Sequence, residues 1–231
     1  HIEEWTDTKK LINIYGIASG MSYLHNNNVI HRNLNPESIF LDEYLLPKIG
    51  NFGLLTKIHT LSSMTFQTTV GIKGKPSYSS PELLEYNEYS KENDVYAFSL
   101  IVYEIMTLEI PFANINNFNE LFNKIVTKSF RPKFNKTIPK CYRQLIEICW
   151  SQNPTERPTF EEITSLLKND KDFITKKVNQ DEFYEYVKFI EKSKIEFYSE
   201  NRVVKFDDII QSKSISQNKS KDKIKEKNKK E

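Results

Sequence analysis

The sequence predicts a mainly α (α+β) fold: a helical bundle around one buried central helix, with a few short strands. Three observations lead there. The run NDVYAFSLIVYEIMT, Asn93–Thr107, is apolar on almost every side, as befits a helix at the centre of a domain. Other segments before and after it carry apolar residues at helical spacing. The strand-like pieces are short and lie between Val29 and Ile49.

Taken in order, Asp7 is the expected cap of a first helix with apolar residues at Leu11, Ile14, Ala18 and Met21, and HNNN stops it. Short strands fit Val29–Ile30, Ser38–Leu41 and Pro47–Ile49, the last two joined by a turn at LDEY. Residues 56–80, rich in Ser, Thr, Lys and Gly, read as a long loop, and a loop of that length inside a compact domain is usually functional. After the central helix, further helices fit Asn117–Thr127, Pro139–Trp150 and Pro158–Lys168. Pro158 suits a first helical position, and Glu161 and Glu162 suit the positive end of the helix dipole. Tyr184, Val187 and Ile190 mark one more amphipathic helix. The tail QSKSISQNKSKDKIKEKNKKE has no core-forming pattern and reads as disordered.

The 231 residues suffice for one good domain with a tail, and 38% hydrophobic content supports a packed core. A net charge of +2 is too small to argue for a nucleic-acid or membrane partner. No apolar run approaches the roughly 18 residues of a membrane helix, and no secretory signal is present. The chain opens on His1 rather than Met, which suits a piece of a longer chain, so an upstream membrane segment stays compatible with the sequence. Cys141 and Cys149 fall on one expected helix, about 12 Å apart at ~1.5 Å per residue and beyond disulfide reach. Reduced cysteines suit a cytoplasmic setting. The four histidines show no zinc-like spacing with them.

HRNLNPES (His31–Ser38), NFG (Asn51–Gly53) and SPE (Ser80–Glu82) follow one another with a definite cadence. They resemble the catalytic loop, the Asp-Phe-Gly segment and the Ala-Pro-Glu segment of eukaryotic protein kinases. Downstream, NDVYAF and CWSQNPTERPTF look like the helices of the tyrosine-kinase and tyrosine-kinase-like groups. The resemblance covers about residues 5–168 and only the C-terminal lobe. It implies a kinase-like domain over 1–168, a partly helical extension over 169–210 and a Lys-rich tail over 211–231. The N-terminal lobe is expected to be missing, because no G-x-G-x-x-G and no strand lysine in a V-A-I-K context occurs.

The departures from the family pattern bear on function. Asn33 stands where the family has the Asp that accepts the substrate proton, and an amide is no carboxylate base. Asn35 replaces the catalytic-loop Lys of serine/threonine kinases, and Lys75 the Thr expected after Gly74. Ser38 and Asn51 occupy the two positions that hold magnesium, a cation usually bound through carboxylates. The scaffold positions persist. By resemblance, His31 and Phe52 belong to the internal apolar spine, Asp94 holds the catalytic-loop backbone, and Glu82 and Arg157 form a buried ion pair. His31 as a general base is the competing reading. Arg32 is a candidate clamp for a phosphate on Thr65, Thr68 or Thr69.

The resemblance therefore implies a pseudokinase, a kinase fold that works by binding a protein partner such as a true kinase, with no cofactor. The alternatives are a decayed gene product, or a fragment of an active kinase whose N-terminal lobe lies upstream of His1. Only the last would use ATP and magnesium.

Overall fold

The computed structural model describes residues 5–51, 75–115 and 117–200, with side chains described as far as residue 193. Two compact units divide the chain, His1–Val187 and Lys188–Glu231. Among the described residues no helix is long and apolar enough to cross a membrane.

Helix α1 spans Asp7–Asn26. Its cap is Thr6, not Asp7: Thr6 lies in extended backbone and its Oγ1 accepts from the Lys9 amide at 3.2 Å. Asp7 instead takes the first helical position, where its charge suits the dipole and pairs with Lys10 at 3.3 Å. Leu11, Ile14, Ala18 and Met21 are fully buried, but so are Ile12, Tyr15 and Ile17, so α1 is enclosed well beyond one stripe. Val29–Ile30 is not a strand. The Val29 amide is spent on the Leu24 carbonyl at 2.9 Å, closing the end of α1.

The two strands are β1 (Ile39–Leu41) and β2 (Pro47–Ile49), antiparallel, with Ile39 opposite Ile49 and Leu41 opposite Pro47. Ser38, expected at the start of β1, belongs to the preceding 3₁₀ turn Pro36–Ser38. Asp42 builds the hairpin turn by accepting the amides of Tyr44 and Leu46, each at 3.0 Å.

After the short helix α2 (Pro81–Tyr86), α3 runs Lys91–Thr107, two residues longer at its start than the apolar run. Ser90 and Asn93 form a capping box there, and Leu108 ends the helix in the left-handed region at φ 57. Val95 to Tyr103 are buried without a break, making α3 a core helix.

The segment expected as one helix over Asn117–Thr127 is two: α4 (Phe118–Phe122) followed by a π-helical turn, Asn123–Thr127. The widened turn brings Ile125 to complete burial, while Phe118 stays exposed. Helix α5 is Lys140–Cys149, flanked by Pro139 and Trp150, and both its cysteines are free and buried. Helix α6 is Phe160–Asn169 rather than Pro158 onward. Thr159 caps it in a reciprocal box with Glu162, a service Pro158 cannot give, so the proline sits outside the first turn.

Packing follows from these faces. Phe160 stacks edge-on to both His25 of α1 (5.0 Å) and Phe98 of α3 (5.3 Å), tying three helices together. The last helix, α7, is Gln180–Glu200. Its buried residues are Phe183, Tyr186 and Val187, whereas Tyr184 and Ile190 are half-buried, a rotation of the expected face. Phe183 meets Tyr15 edge-on at 5.6 Å. Gly16 permits this approach, since a Cβ there would meet Pro47 Cγ at 2.6 Å and the Tyr186 hydroxyl more closely still. Residues 170–187 thus pack within the first compact unit.

Candidate functional site

The loop from His31 to Ser38 lies between the end of α1 and β1, anchored from below by α3. Asp94, buried in the first turn of α3, supplies the anchor. Its Oδ2 accepts the His31 amide at 2.8 Å and its Oδ1 the Arg32 amide at 3.0 Å. Oδ2 also meets His25 Nε2 at 2.9 Å. One carboxylate therefore joins the end of α1, the loop and α3, and charge-assisted bonds of this kind are the strong ones. His25 was not evident from the sequence; a histidine in the last turn of an otherwise apolar helix was the available signal.

His31 is fully buried. Its Nε2 donates to the Gly50 carbonyl at 3.0 Å and its Nδ1 accepts the Asn33 amide at 3.4 Å, which fixes the tautomer. Burial pushes its pKa below the usual histidine range, against the opposing pull of Asp94. A neutral ring with both nitrogens engaged in backbone contacts has the position of a packing residue. Arg32 adopts φ 71, and its guanidinium lies 5.8 Å from the Tyr89 ring. Its buried Nε has no hydrogen-bond partner among the described residues. Arg32, Asn33 and Lys75 line a cavity of only about 20 Å³.

The substituted positions bond to one another. Asn35 Nδ2 donates to the Asn33 carbonyl at 2.8 Å and to Asn33 Oδ1 at 3.2 Å. Asn35 Oδ1 accepts the Glu37 amide at 2.9 Å. Ser38 Oγ donates to the Asn35 carbonyl at 2.7 Å and accepts the Asn35 amide at 3.1 Å. Asn35 and Ser38 are buried, while Asn51 is exposed at φ 60. The nearest loop carboxylate, Glu37, is exposed and paired with Lys75 at 2.8 Å.

As placed, these groups offer a magnesium ion no carboxylate. The Ser38 oxygen faces its own loop backbone, Asn33 Oδ1 already accepts a bond, and neither metal position, Ser38 or Asn51, carries a carboxylate. Among the described residues there is no group of three or more His, Cys, Asp or Glu side chains able to hold a metal ion.

Glu82, in the first turn of α2, and Arg157 meet in a two-pronged pair, Nη1–Oε1 at 2.6 Å and Nη2–Oε2 at 2.9 Å. Arg157 also donates to the carbonyls of Ser151 and Glu92, and Asn93 Nδ2 donates to Glu82 Oε1. Burial alone would raise the Glu82 carboxyl, but the hydrogen bonds and charge of Arg157 outweigh it and hold the group below the usual carboxylate range. Arg157 and Arg131 both lie over the buried Tyr96 ring, at 5.2 and 5.1 Å. Phe52, Thr65, Thr68 and Thr69 lie outside the described residues.

A family model described as protein tyrosine and serine/threonine kinase matches residues 2–167. Relatives include a probable serine/threonine-protein kinase of Dictyostelium discoideum, 40% identical over 151 residues, covering 65% of this chain and 16% of that protein. A serine/threonine-protein kinase of Arabidopsis thaliana is 33% identical over 152 residues, covering 65% of this chain and 25% of that protein. A dual specificity protein kinase of Dictyostelium discoideum is 35% identical over 169 residues, covering 72% of this chain and 12% of that protein. The chain thus spans a quarter or less of the length of these relatives.

Proposed function

Because the chain belongs to the protein tyrosine and serine/threonine kinase family, we propose that it is a pseudokinase of tyrosine-kinase-like type, a binding and regulatory module rather than a phosphotransferase. One observation carries the reading. Asn33, Asn35 and Ser38 stand at base, lysine and metal positions of the family; Asn35 spends its amide group on Asn33 and the Glu37 amide, and Ser38 its hydroxyl on the Asn35 backbone. An amide in place of the base alone costs about 10²–10⁴ in rate. The partner is a protein in cytoplasmic signalling, with an active kinase the class we favour. The two unpaired cysteines suit a reducing compartment.

The reading is tested with the full chain by thermal denaturation against magnesium and ATP, and by transfer of radiolabelled phosphate to itself and to a generic protein substrate. No shift and no transfer above a buffer control are expected; transfer would overturn the reading.

A second reading has its own support. The relatives named here are kinases, and this chain covers 16% of the first of them. The chain is then the C-terminal lobe of an enzyme whose nucleotide-binding lobe lies upstream of His1. Sequence upstream of His1 encoding a Gly-rich loop and a strand lysine would favour it.

A further inference from the structure

We propose that Asn33, Asn35 and Ser38 form a metal-independent brace, with Asn35 as the positioning residue that holds the His31–Ser38 loop in one conformation whether or not magnesium and ATP are present. The proposal rests on the non-catalytic reading of these positions and adds what replaced the chemistry.

The geometry points to a mutually fitted set rather than to separate losses. Asn35 works in both directions at once. Its Oδ1 takes the Glu37 amide, as a cap takes a helix amide, while its Nδ2 bridges back to the Asn33 carbonyl and side-chain oxygen. Ser38 reciprocates by accepting the Asn35 amide and donating to its carbonyl. At 3% and 1% exposure, the side chains of Asn35 and Ser38 have no water to fall back on. The Ser38 hydroxyl is satisfied only while the Asn35 backbone keeps its place, and the Asn35 side chain ties that backbone to Asn33 and Glu37.

A long lysine at position 35 would have to leave this buried site, and would supply no acceptor for Glu37. An asparagine at 38 would need room for added atoms beside a residue already enclosed. Asp94 and Gly50 hold the two ends of the same stretch, through the His31 and Arg32 amides and through the bond from the Gly50 amide to the Ser38 carbonyl at 2.8 Å. Anchored at both ends and braced in the middle, the loop needs neither cation nor nucleotide to set its shape. A partner reading this surface meets the same conformation at any magnesium or ATP level.

The test uses the full 231-residue chain. Asn35→Ala, Ser38→Ala and the double variant are compared by denaturation, and amide exchange is followed at Glu37 and Ser38. A brace predicts non-additivity, a coupling factor of about five in the unfolding equilibrium, and about tenfold faster exchange at Glu37 in Asn35→Ala. Asn35→Asp retains an acceptor for the Glu37 amide and should keep that amide protected, which a residue that merely fills space would not require. Additive losses, or exchange at Glu37 equal in Asn35→Ala and Asn35→Asp, would overturn the brace. In wild-type protein, added magnesium and ATP should leave loop exchange unchanged. A slowing there with the coupling intact would instead overturn the non-catalytic reading beneath it.

Discussion

Glu82 and Arg157 stand 75 residues apart in sequence and meet through two parallel hydrogen bonds, with the arginine side chain wholly buried and the carboxylate four-fifths covered. The planar fork of arginine matches a carboxylate in a way lysine cannot. Arg157→Ala would leave Glu82 beside an empty slot, with a loss of about 3–5 kcal/mol. Chemical denaturation of the two proteins checks this. A loss near zero would mean that solvent replaces the pair freely.

The same pair makes stability depend on acid. Glu82 is held below its usual value in the folded protein, so the unfolded chain binds more protons as the pH falls. Its contribution is fully present above the ordinary carboxylate value of about 4.3 and is lost as pH drops through the depressed folded value. Denaturation midpoints measured between pH 6 and about pH 3 should fall more steeply in wild type than in Arg157→Ala. Parallel curves would remove Glu82 from the account.

Asp94→Asn keeps the shape of the anchor but replaces one of its acceptor oxygens by a donor facing amides and a histidine. A cost of about 1–3 kcal/mol is expected, with faster exchange at the His31 and Arg32 amides. Unchanged exchange at those two amides would show that the loop is held by other contacts.

Gly16→Ala should destabilise by about 1–3 kcal/mol, although alanine is the better helix former, because the new methyl overlaps Pro47 and the Tyr186 hydroxyl. Tyr186→Phe in the same chain should recover part of the loss by opening space on that side. A stabilised Gly16→Ala variant would mean that α7 yields without cost.

Phe40, Leu41 and Tyr44, on and beside the β1–β2 hairpin, are 53%, 46% and 66% exposed. Large apolar side chains exposed in this way are sites where a hydrophobic dye binds. The full chain should bind a hydrophobic dye, and Phe40→Ser should lower that binding without lowering the denaturation midpoint by more than about 1 kcal/mol equivalent. No dye binding in wild type would show the hairpin surface to be covered.

The central helix was legible because its apolar run admits no other reading, and Pro47–Ile49 because the turn before it is built from Asp42. What the sequence hid were choices between adjacent groups. Thr6 and Asp7 are both good caps, as Pro158 and Thr159 are both good helix starts, and only backbone geometry selects between them. Val29–Ile30 has strand composition, but the closing of α1 claims its first amide. The π turn at Asn123–Thr127 leaves no mark in the apolar pattern. At the loop, the sequence exposed what Asn33 and Ser38 lack; that Asn35 bonds to both is a fact of three dimensions.

The packing of Phe173, Phe183 and Val187 has a practical corollary. They are buried at 2% exposure or less, yet they lie past residue 167, where the family match stops. A chain trimmed at that limit would strip Phe183 and Tyr186 from Tyr15 and remove the Tyr186 hydroxyl from beside Gly16, with Pro47 remaining there. It would behave as a damaged protein and not as a minimal domain. For this protein a cut that keeps this packing has to fall after Val187.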